Sequence, residues 1–300
     1  MPYSSAGILA QGYHPLLGGV YVTKGLLPPH VPVSQATRAL VRVFEDVGYV
    51  SDCDLLRLIA FLLTPAMKLG GVLKADAPIL YIEADAPGAG KSYTQNLIPA
   101  FYDEEPYVVT VIERGVGDLG ESVAQGMANG RLFIKIDNVE TELRSPYLAS
   151  ATTHRRVQAR VLYRSVEVHP HRHIFMANSN GASITPELLR RFAVVRIQKQ
   201  PVAYEYNSYD EGDVLDHVRA NQSYYLGCIF SVIREWIQAG KPRTGERRHS
   251  FVGWAQSLGW IMQNIFGAST PLFADYGDEG EAPRLRSDVP PIPGDNLFAP

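Results

Sequence analysis

The chain has 300 residues, of which 46% are hydrophobic and 20% charged, so it can bury one large core or two modest ones, and disorder of the whole chain is excluded. The formal net charge of −3 excludes a uniformly basic nucleic-acid coat, so that any nucleic-acid contact must be local. Two distant cysteines, Cys53 and Cys228, exclude a disulfide framework and a cysteine zinc site and favour an intracellular protein. No signal peptide and no membrane span are expected, and we expect a cytoplasmic location.

Residues 1–75 form an N-terminal segment with helices in this interpretation. Gly, Pro and Tyr are frequent in residues 1–34, where residues 19–23 could form a short strand. Apolar residues at helical spacing then predict a helix with Ser34 as its N-cap, and a second helix over residues 53–68.

Residues 76–200 alternate short apolar runs with segments of helix length. The runs are residues 79–82, 107–112, 132–136, 174–177 and 193–197. Short, nearly all-apolar strands between helices predict an α/β fold with a parallel sheet covered on both faces. Residues 160–163 and 165–168 predict a hairpin inserted between the third and fourth strands. Helices over residues 214–239 and 251–265 predict a small helical lid at 201–267, and the composition of residues 268–300 predicts a loose tail rich in Pro, Gly and Asp.

A glycine-rich loop follows the first strand of the predicted sheet and leads into a helix. Its glycines allow backbone N–H groups to surround phosphate oxygens, while Lys91 reaches the β and γ phosphates and Ser92 coordinates Mg²⁺. Asp85 stands where this motif usually has its first glycine. The alternative is an ordinary glycine turn. The predicted nucleotide-binding residues of the loop are Pro87, Gly88, Ala89, Gly90, Lys91, Ser92 and Tyr93.

Polar residues follow the third and fourth strands. Asp137, at the end of the third strand, is the predicted carboxylate that holds Mg²⁺ together with Ser92, although it could instead cap the next helix. Asn138 follows Asp137 at a position where ATPases with this kind of loop and acidic strand end often have a Glu, and Glu140 lies a little further on. Which group would activate the attacking water is therefore left open. Asn178 or Asn180 could hold the water or the γ phosphate, or form an ordinary turn.

Two adjacent arginines, Arg190 and Arg191, precede the fifth strand. A guanidinium suits the transferring γ phosphoryl, and at a subunit edge it would act on the nucleotide of the neighbour. The alternative is a pair of surface arginines bound to carboxylates. The predicted catalytic residues are Lys91, Asp137, Asn138, Glu140, Asn178, Asn180, Arg190 and Arg191.

Basic residues concentrate in residues 131–200, which hold twelve Lys or Arg against five acids. In the predicted hairpin and just before it, such residues can bind phosphates while a tyrosine stacks on a base. A solvated basic face and contacts with a neighbouring subunit are the alternatives. The predicted DNA-binding residues are Arg155, Arg156, Arg160, Tyr163 and Arg164.

Taken in order, these motifs resemble the AAA+ ATPases, and within them the helicase-like ATPases of phages, prophages and integrative elements, which are often joined to primase modules. The resemblance is carried by residues 12–15, 19–22, 62–65, 86–92, 136–139, 177–180, 188–191 and 250–259. It covers most of the chain, with Asp85 and Asn138 as departures. No primase motif is recognisable in the chain.

The resemblance implies a five-stranded AAA+ P-loop core followed by a helical lid, with ATP and Mg²⁺ as cofactors. It further implies a hexameric ring that moves on single-stranded or forked DNA in a bacterial or phage-infected cell, with a primase as a possible partner. Asn178 or Asn180 would be sensor 1, and Arg190 or Arg191 the arginine finger. Arg247 or Arg248 would be a lid residue near the γ phosphate.

The leading hypothesis is therefore a ring-forming AAA+ ATPase that acts as a DNA helicase or translocase in the replication of a phage or mobile element. One rival is an ATP-gated loader or assembly platform with slow hydrolysis, which the amide of Asn138 would suit. Another rival is a protein remodeller that does not bind DNA.

Overall fold

The computed structural model describes residues 3–4, 7–8, 12–14, 20–22, 27–110, 118–139, 142–161, 164–277 and 280–283. The predicted site residues Glu140 and Tyr163, and the side chain of Arg164, lie outside this description. The strands are β1 (Tyr3–Ser4), β2 (Gly7–Ile8), β3 (Gly12–His14), β4 (Val20–Val22), β5 (Gly48–Tyr49), β6 (Ile79–Ala84), β7 (Tyr107–Thr110), β8 (Phe133–Val139), β9 (Glu142–Leu143), β10 (Val157–Val161), β11 (Arg164–Val168), β12 (Ile174–Ser179), β13 (Ser183–Ile184) and β14 (Phe192–Gln198). The helices are α1 (Val33–Arg42), α2 (Asp52–Leu69), α3 (Lys91–Ala100), α4 (Leu119–Ala128), α5 (Pro146–Ala151), α6 (Pro186–Leu189), α7 (Val214–Ala220), α8 (Gln222–Gln238) and α9 (Val252–Asn264).

A mostly parallel sheet lies at the centre of the fold. Its described strands follow the order β5-β14-β6-β12-β8-β7, in which only β5 runs antiparallel to its neighbour. Both faces of the sheet are covered, since Leu80 and Ile82 of β6 join one hydrophobic cluster and Ile79 and Tyr81 join the other. The predicted α/β class with a parallel sheet between helices is therefore confirmed.

The predicted inserted hairpin is also confirmed. Strand β10 pairs antiparallel with β11, with Val157 opposite Val168 and Arg160 opposite Ser165. Ala159 and Val168 are buried with α4 and α5 on one face of the sheet, so the hairpin is anchored to the core at its base.

Helices from both ends of the chain share the core on the other face. Residues of α1, α2, α8 and α9 belong to a single hydrophobic cluster, together with the second half of α3. The division at residue 75 therefore does not separate independently packed units. No helix within the described part of the chain has both the length and the apolarity needed to cross a bilayer.

Two local predictions about helices are wrong. Helix α1 begins at Val33 after Pro32, so Ser34 is inside the helix and not its N-cap. The helix predicted over residues 214–239 is two helices, because α7 ends and α8 begins around Asn221, whose Nδ2 donates to the carbonyl of His217.

Side chains, and not a neighbouring strand, satisfy the outer edge of β14 at Phe192, at Val194 and at the N–H of Arg196. The carbonyl of Val194 accepts from Arg57 Nε at 2.6 Å, and the backbone N–H of Arg196 donates to Asp54 Oδ1 at 2.9 Å. The hydroxyl of Tyr276 accepts from Val194 N and donates to the carbonyl of Phe192. An exposed sheet edge is thereby closed against pairing with another chain.

A buried ionic network holds this edge. Asp54 and Arg57 are both 0% exposed and 2.7 Å apart, and Arg57 also binds Asp275 at 2.6 Å. Arg196 binds both carboxylates, so two cations face two anions in a buried site. The prediction of a loose tail from residue 268 is wrong for residues 268–277, because this segment supplies Asp275 and buries Phe273 in the core.

Candidate functional site

The predicted phosphate loop lies between β6 and α3. Gly88 and Gly90 have φ of +80° and +88°, a left-handed conformation that other residues adopt at a cost. An added Cβ at Gly88 would meet no atom within 4 Å, so the loop faces open space. Gly90 is the N-cap of α3 and provides no side-chain cap, which leaves N–H groups of the first turn for an anion.

Asp85 has a structural role in this loop. Its Oδ1 accepts a hydrogen bond from the backbone N–H of Lys199, just after β14, at 3.2 Å. The carboxylate therefore ties the start of the loop to the neighbouring strand, which a glycine at this position could not do.

Three predicted residues meet at one carboxylate oxygen. Oδ1 of Asp137 accepts from the hydroxyl of Ser92 at 2.9 Å and from Nδ2 of Asn178 at 2.6 Å. The phosphate-loop helix, the third predicted strand and the fourth are thus joined at the carboxyl edge of the sheet, where parallel α/β folds bind their ligands.

The pKa of Asp137 is lowered by these contacts. Burial by itself would raise the pKa, but hydrogen bonds from Asn178 and Ser92 and the charge of Lys135 outweigh burial. The carboxylate is therefore kept ionised, which a metal ligand requires.

A β-bulge shapes this edge. Ile136 pairs with Ala177 and Val139 pairs with Ser179, so Asp137 and Asn138 of β8 lie opposite the single residue Asn178 of β12. Asn138 is exposed with φ of +53°, a conformation that Asn tolerates better than most residues, and its N–H donates to Asn178 Oδ1 at 3.0 Å. The bulge places Asn178 against both Asp137 and the backbone of Asn138.

Lys91 and Asn180 are also brought together. The ammonium of Lys91 donates to Oδ1 of Asn180, which extends from the loop after β12. Burial lowers the pKa of Lys91, while the charges of Asp137 and Asp85 oppose this shift. The two candidate amides therefore differ, because Asn178 contacts Asp137 and Asn180 contacts Lys91.

Two site residues were not singled out from the sequence. Gln95 of α3 accepts from Asn178 at 2.7 Å and donates to the carbonyl of Ala177 at 2.7 Å, so it fixes the orientation of the Asn178 amide. Lys135 of β8, counted above only among basic residues, is buried beside Asp137, and burial lowers its pKa. A lysine inside an apolar strand was the signal that could have identified it.

A cavity of about 320 Å³ adjoins the phosphate loop. Residues 88–90 and Tyr93 form one side, and Val43, Asp46 and the segment 200–214 supply other walls. Tyr93 accepts from the backbone N–H of Leu215 at 3.1 Å, and burial raises the pKa of Tyr93 to about 12. The predicted nucleotide-binding residue Tyr93 thus lines a cavity and also joins α3 to α7.

Asp46 holds one wall of this cavity. Its carboxylate accepts from the Tyr204 hydroxyl at 3.0 Å and from the side chain and backbone of Asn207 at 3.0 and 3.1 Å. Its carbonyl accepts from Gln200 at 3.1 Å. We call residues 200–207 the strap. No local pattern predicts this contact, which joins residues more than 150 positions apart.

The two predicted finger arginines have different surroundings. Arg191 donates to the hydroxyl of Thr152 at 3.2 Å and to Glu187 at 3.3 Å, so it is bound within its own chain. Arg190 is exposed and makes no side-chain hydrogen bond or ion pair with the residues that the structure describes. Arg190 is therefore the one available to a neighbouring molecule.

Arg247 and Arg248 do not line the cavity beside the phosphate loop. Both line a separate cavity with Glu246 and Pro271, and Arg248 binds Glu246 through two hydrogen bonds of 2.9 and 2.7 Å. The placement predicted for them near the γ phosphate stays a prediction, and in this structure the carboxylate of Glu246 holds Arg248 at the second cavity.

The described arginines of the hairpin region are exposed. Arg155, Arg156 and Arg160 all face solvent, and Arg156 binds Glu167 at 3.2 Å with both side chains largely exposed. Such a pair contributes little to stability, so these side chains remain available for phosphates.

No protein-family model matches the chain, and no curated protein matches it. Among solved structures, it is similar to two apo structures of the C-terminal region of NrS-1, both of the A form. The first is 15% identical, with a TM-score of 0.43, over 72% of this chain and 48% of that one. The second is 14% identical, with a TM-score of 0.43, over 77% of this chain and 54% of that one. The chain thus spans about half the length of these structures.

Proposed function

We propose that the chain is an ATPase of the AAA+ class that requires Mg²⁺ and acts, as a ring of subunits, as a DNA helicase or translocase of a phage or mobile element. One observation carries this proposal, namely the meeting of Ser92 and Asn178 at Oδ1 of Asp137. The order of the parallel strands supports it as well. In the sheet they lie in the order β14-β6-β12-β8-β7, which brings the ends of β6, β12 and β8, and with them the three residues, to one edge.

The residues present fit Mg²⁺ and a phosphate chain. A hydroxyl and an ionised carboxylate are the oxygen ligands that Mg²⁺ prefers, and the Ser92 proton already points to Asp137, which leaves oxygen lone pairs of Ser92 for a cation. The open loop at Gly88 offers room for phosphate oxygens. When bound, Mg²⁺ supplies positive charge that stabilises the phosphates during the reaction.

The reaction proposed is hydrolysis of the γ phosphoryl group. A water oxygen bonds to the γ phosphorus while the bond to the β–γ bridging oxygen breaks, and ADP leaves with that electron pair. Lys91 neutralises charge on the β and γ phosphates, and Asn180 holds the Lys91 ammonium at the loop. Of the two adjacent arginines, Arg190 is the one proposed to reach the nucleotide of the neighbouring subunit, since Arg191 is bound within its own chain.

The experiment is steady-state ATP hydrolysis with and without single-stranded DNA. We expect DNA to stimulate ATP turnover and Lys91→Ala to abolish turnover. The control Lys199→Ala removes an exposed lysine from the same edge of the sheet and is expected to retain turnover. Arg160→Ala is expected to reduce the stimulation by DNA without changing the basal rate. Failure of the wild-type protein to bind Mg-ATP would refute the proposal.

A second candidate is an ATP-gated loader or assembly platform with slow hydrolysis. Asn138 favours it, because an exposed amide in a left-handed bulge stands where a Glu base would be needed and cannot accept a proton from water. Tight binding of Mg-ATP with no appreciable turnover, whether or not DNA is present, would favour this candidate over the motor.

A further inference from the structure

Lys135 is a buried cation in an apolar strand. Its side chain is 3% exposed, and its neighbours on β8, Ile134 and Ile136, are fully buried. Residues two apart in a strand share a face, so Lys135 and Asp137 both lie on the face of the sheet that α3 covers. A buried charge is costly unless it is paired, and the partners of Lys135 therefore indicate its role.

Every contact of the Lys135 ammonium with a described residue belongs to the candidate metal site or its helix. Nζ lies 3.1 Å from Asn96 Oδ1, 3.4 Å from the carbonyl of Ser92 and 3.5 Å from Asp137 Oδ1. The three donors of the ammonium thus face three acceptors, and the one anion among them is Asp137.

The two oxygens of Asp137 are consequently unequal. Oδ1 faces Ser92, Asn178 and Lys135, whereas Oδ2 accepts no hydrogen bond from the described part of the chain. The donors on Oδ1 fix the rotation of the carboxylate and leave Oδ2 for a cation or a water bound to it.

We propose that Lys135 is a positioning residue and a built-in counter-charge for the metal site. It holds Asp137 in place before a divalent cation arrives, and its positive charge keeps the affinity of the nucleotide-bound site for that cation low. This inference rests on the proposed function, because it concerns the Mg²⁺ that accompanies a bound nucleotide.

The direction of the effect separates this role from a structural one. Removing a positive charge beside the carboxylate strengthens cation binding, by about tenfold for a divalent cation about 6 Å away with the full screening of water, and by more where screening is weaker. Damage to the packing of β8 would instead displace Asp137 and weaken cation binding. Ser92 and Asn178 still hold Asp137 when Lys135 is replaced.

The test is a Mg²⁺ titration at a fixed concentration of N-methylanthraniloyl-ADP, followed by fluorescence anisotropy. Lys135→Gln keeps a donor and removes the charge. Asn96→Asp keeps the lysine and neutralises its charge with an isosteric carboxylate, so it serves if the first variant does not fold. Lys199→Gln is the control, since it removes the charge of an exposed lysine. Electron paramagnetic resonance of Mn²⁺ measures cation binding directly.

We expect both variants to reach half-saturation at Mg²⁺ and Mn²⁺ concentrations at least about tenfold lower, with the control unchanged. Unchanged or weaker cation affinity in both variants, with ADP still bound, would overturn the role of Lys135 and leave the proposed function standing. Absence of nucleotide binding by the wild-type protein would overturn both.

Discussion

Replacement of His249 tests whether a buried neutral histidine makes the fold sensitive to acid. His249 is 3% exposed and packs against the rings of Phe273 and Tyr276, with centroids 4.6 and 5.8 Å away. Phe251 N donates to its Nδ1 at 3.1 Å, and its Nε2 donates to the carbonyl of Phe192 at 3.0 Å. Both ring nitrogens are thus used by the neutral form, and protonation of Nδ1 would set two donors against each other.

The size of the effect follows from the pKa. Burial lowers the pKa of His249 from 6.5 to about 4; the charge of Arg57 acts in the same direction, while the Phe192 carbonyl and Glu246 oppose it. Between these two pH values the unfolded chain binds a proton that the folded chain does not, so the free energy of unfolding falls as the pH falls. From pH 7.5 to pH 5.0 the loss due to this group is about 2 kcal/mol.

The assay is urea denaturation of the wild-type protein and of His249→Gln at pH 7.5 and pH 5.0. The amide of Gln can still donate to Phe192 but does not titrate, so we expect the wild type to lose about 2 kcal/mol more than the variant on acidification. His30→Gln, at an exposed histidine, is the control and is expected to behave as the wild type. Equal losses in the wild type and in His249→Gln would refute the reasoning.

Two further predictions concern the buried network and the strap. Arg57→Met leaves Asp54 and Asp275 with Arg196 as their remaining cation, so we expect the free energy of unfolding in urea to fall by about 3 kcal/mol. The control Arg38→Met, at an exposed arginine, is expected to lower it by less than about 0.5 kcal/mol. A loss below about 1 kcal/mol in Arg57→Met would contradict the role of the network. Asp46→Ala releases the strap beside the cavity and is expected to raise the KM for ATP several-fold with kcat unchanged in steady-state kinetics, whereas a fall in kcat alone would contradict it.

The sheet could be predicted because its signals are local. Each parallel strand is a short apolar run between helices, and this pattern requires no knowledge of distant contacts. Strand β5 has only two residues, Gly48 and Tyr49, which is too short for an apolar run that would predict a strand. The segment after residue 268 has the composition of a loop, yet Phe273 is fully buried and Asp275 is paired, because a distant helix and strand provide their partners.

The candidate site was predictable where the chemistry demands a residue type. Lys91, Ser92 and Asp137 carry such demands, and their order along the chain indicated that they meet. Gln95 and Lys135 act through hydrogen bonds to other residues, and although a lysine in an apolar strand is unusual, its partners and those of Gln95 are known only once α3 lies against β8 and β12. For the same reason, Arg248 could be placed only once its contact with Glu246 was known.

The two residues that depart from the AAA+ pattern expected from the sequence, Asp85 and Asn138, both have an explanation in the backbone around them. Asp85 stands where the pattern has a glycine, and its carboxylate accepts from the backbone N–H of Lys199. This hydrogen bond ties the loop to the end of β14, and a glycine could not make it. Asn138 occupies a left-handed position in a bulge, which Asn adopts more readily than Glu. Its N–H also donates to Asn178 Oδ1, while the Nδ2 of Asn178 donates to Asp137. The bulge that holds Asn138 in this conformation is therefore also part of what brings Asn178 to Asp137.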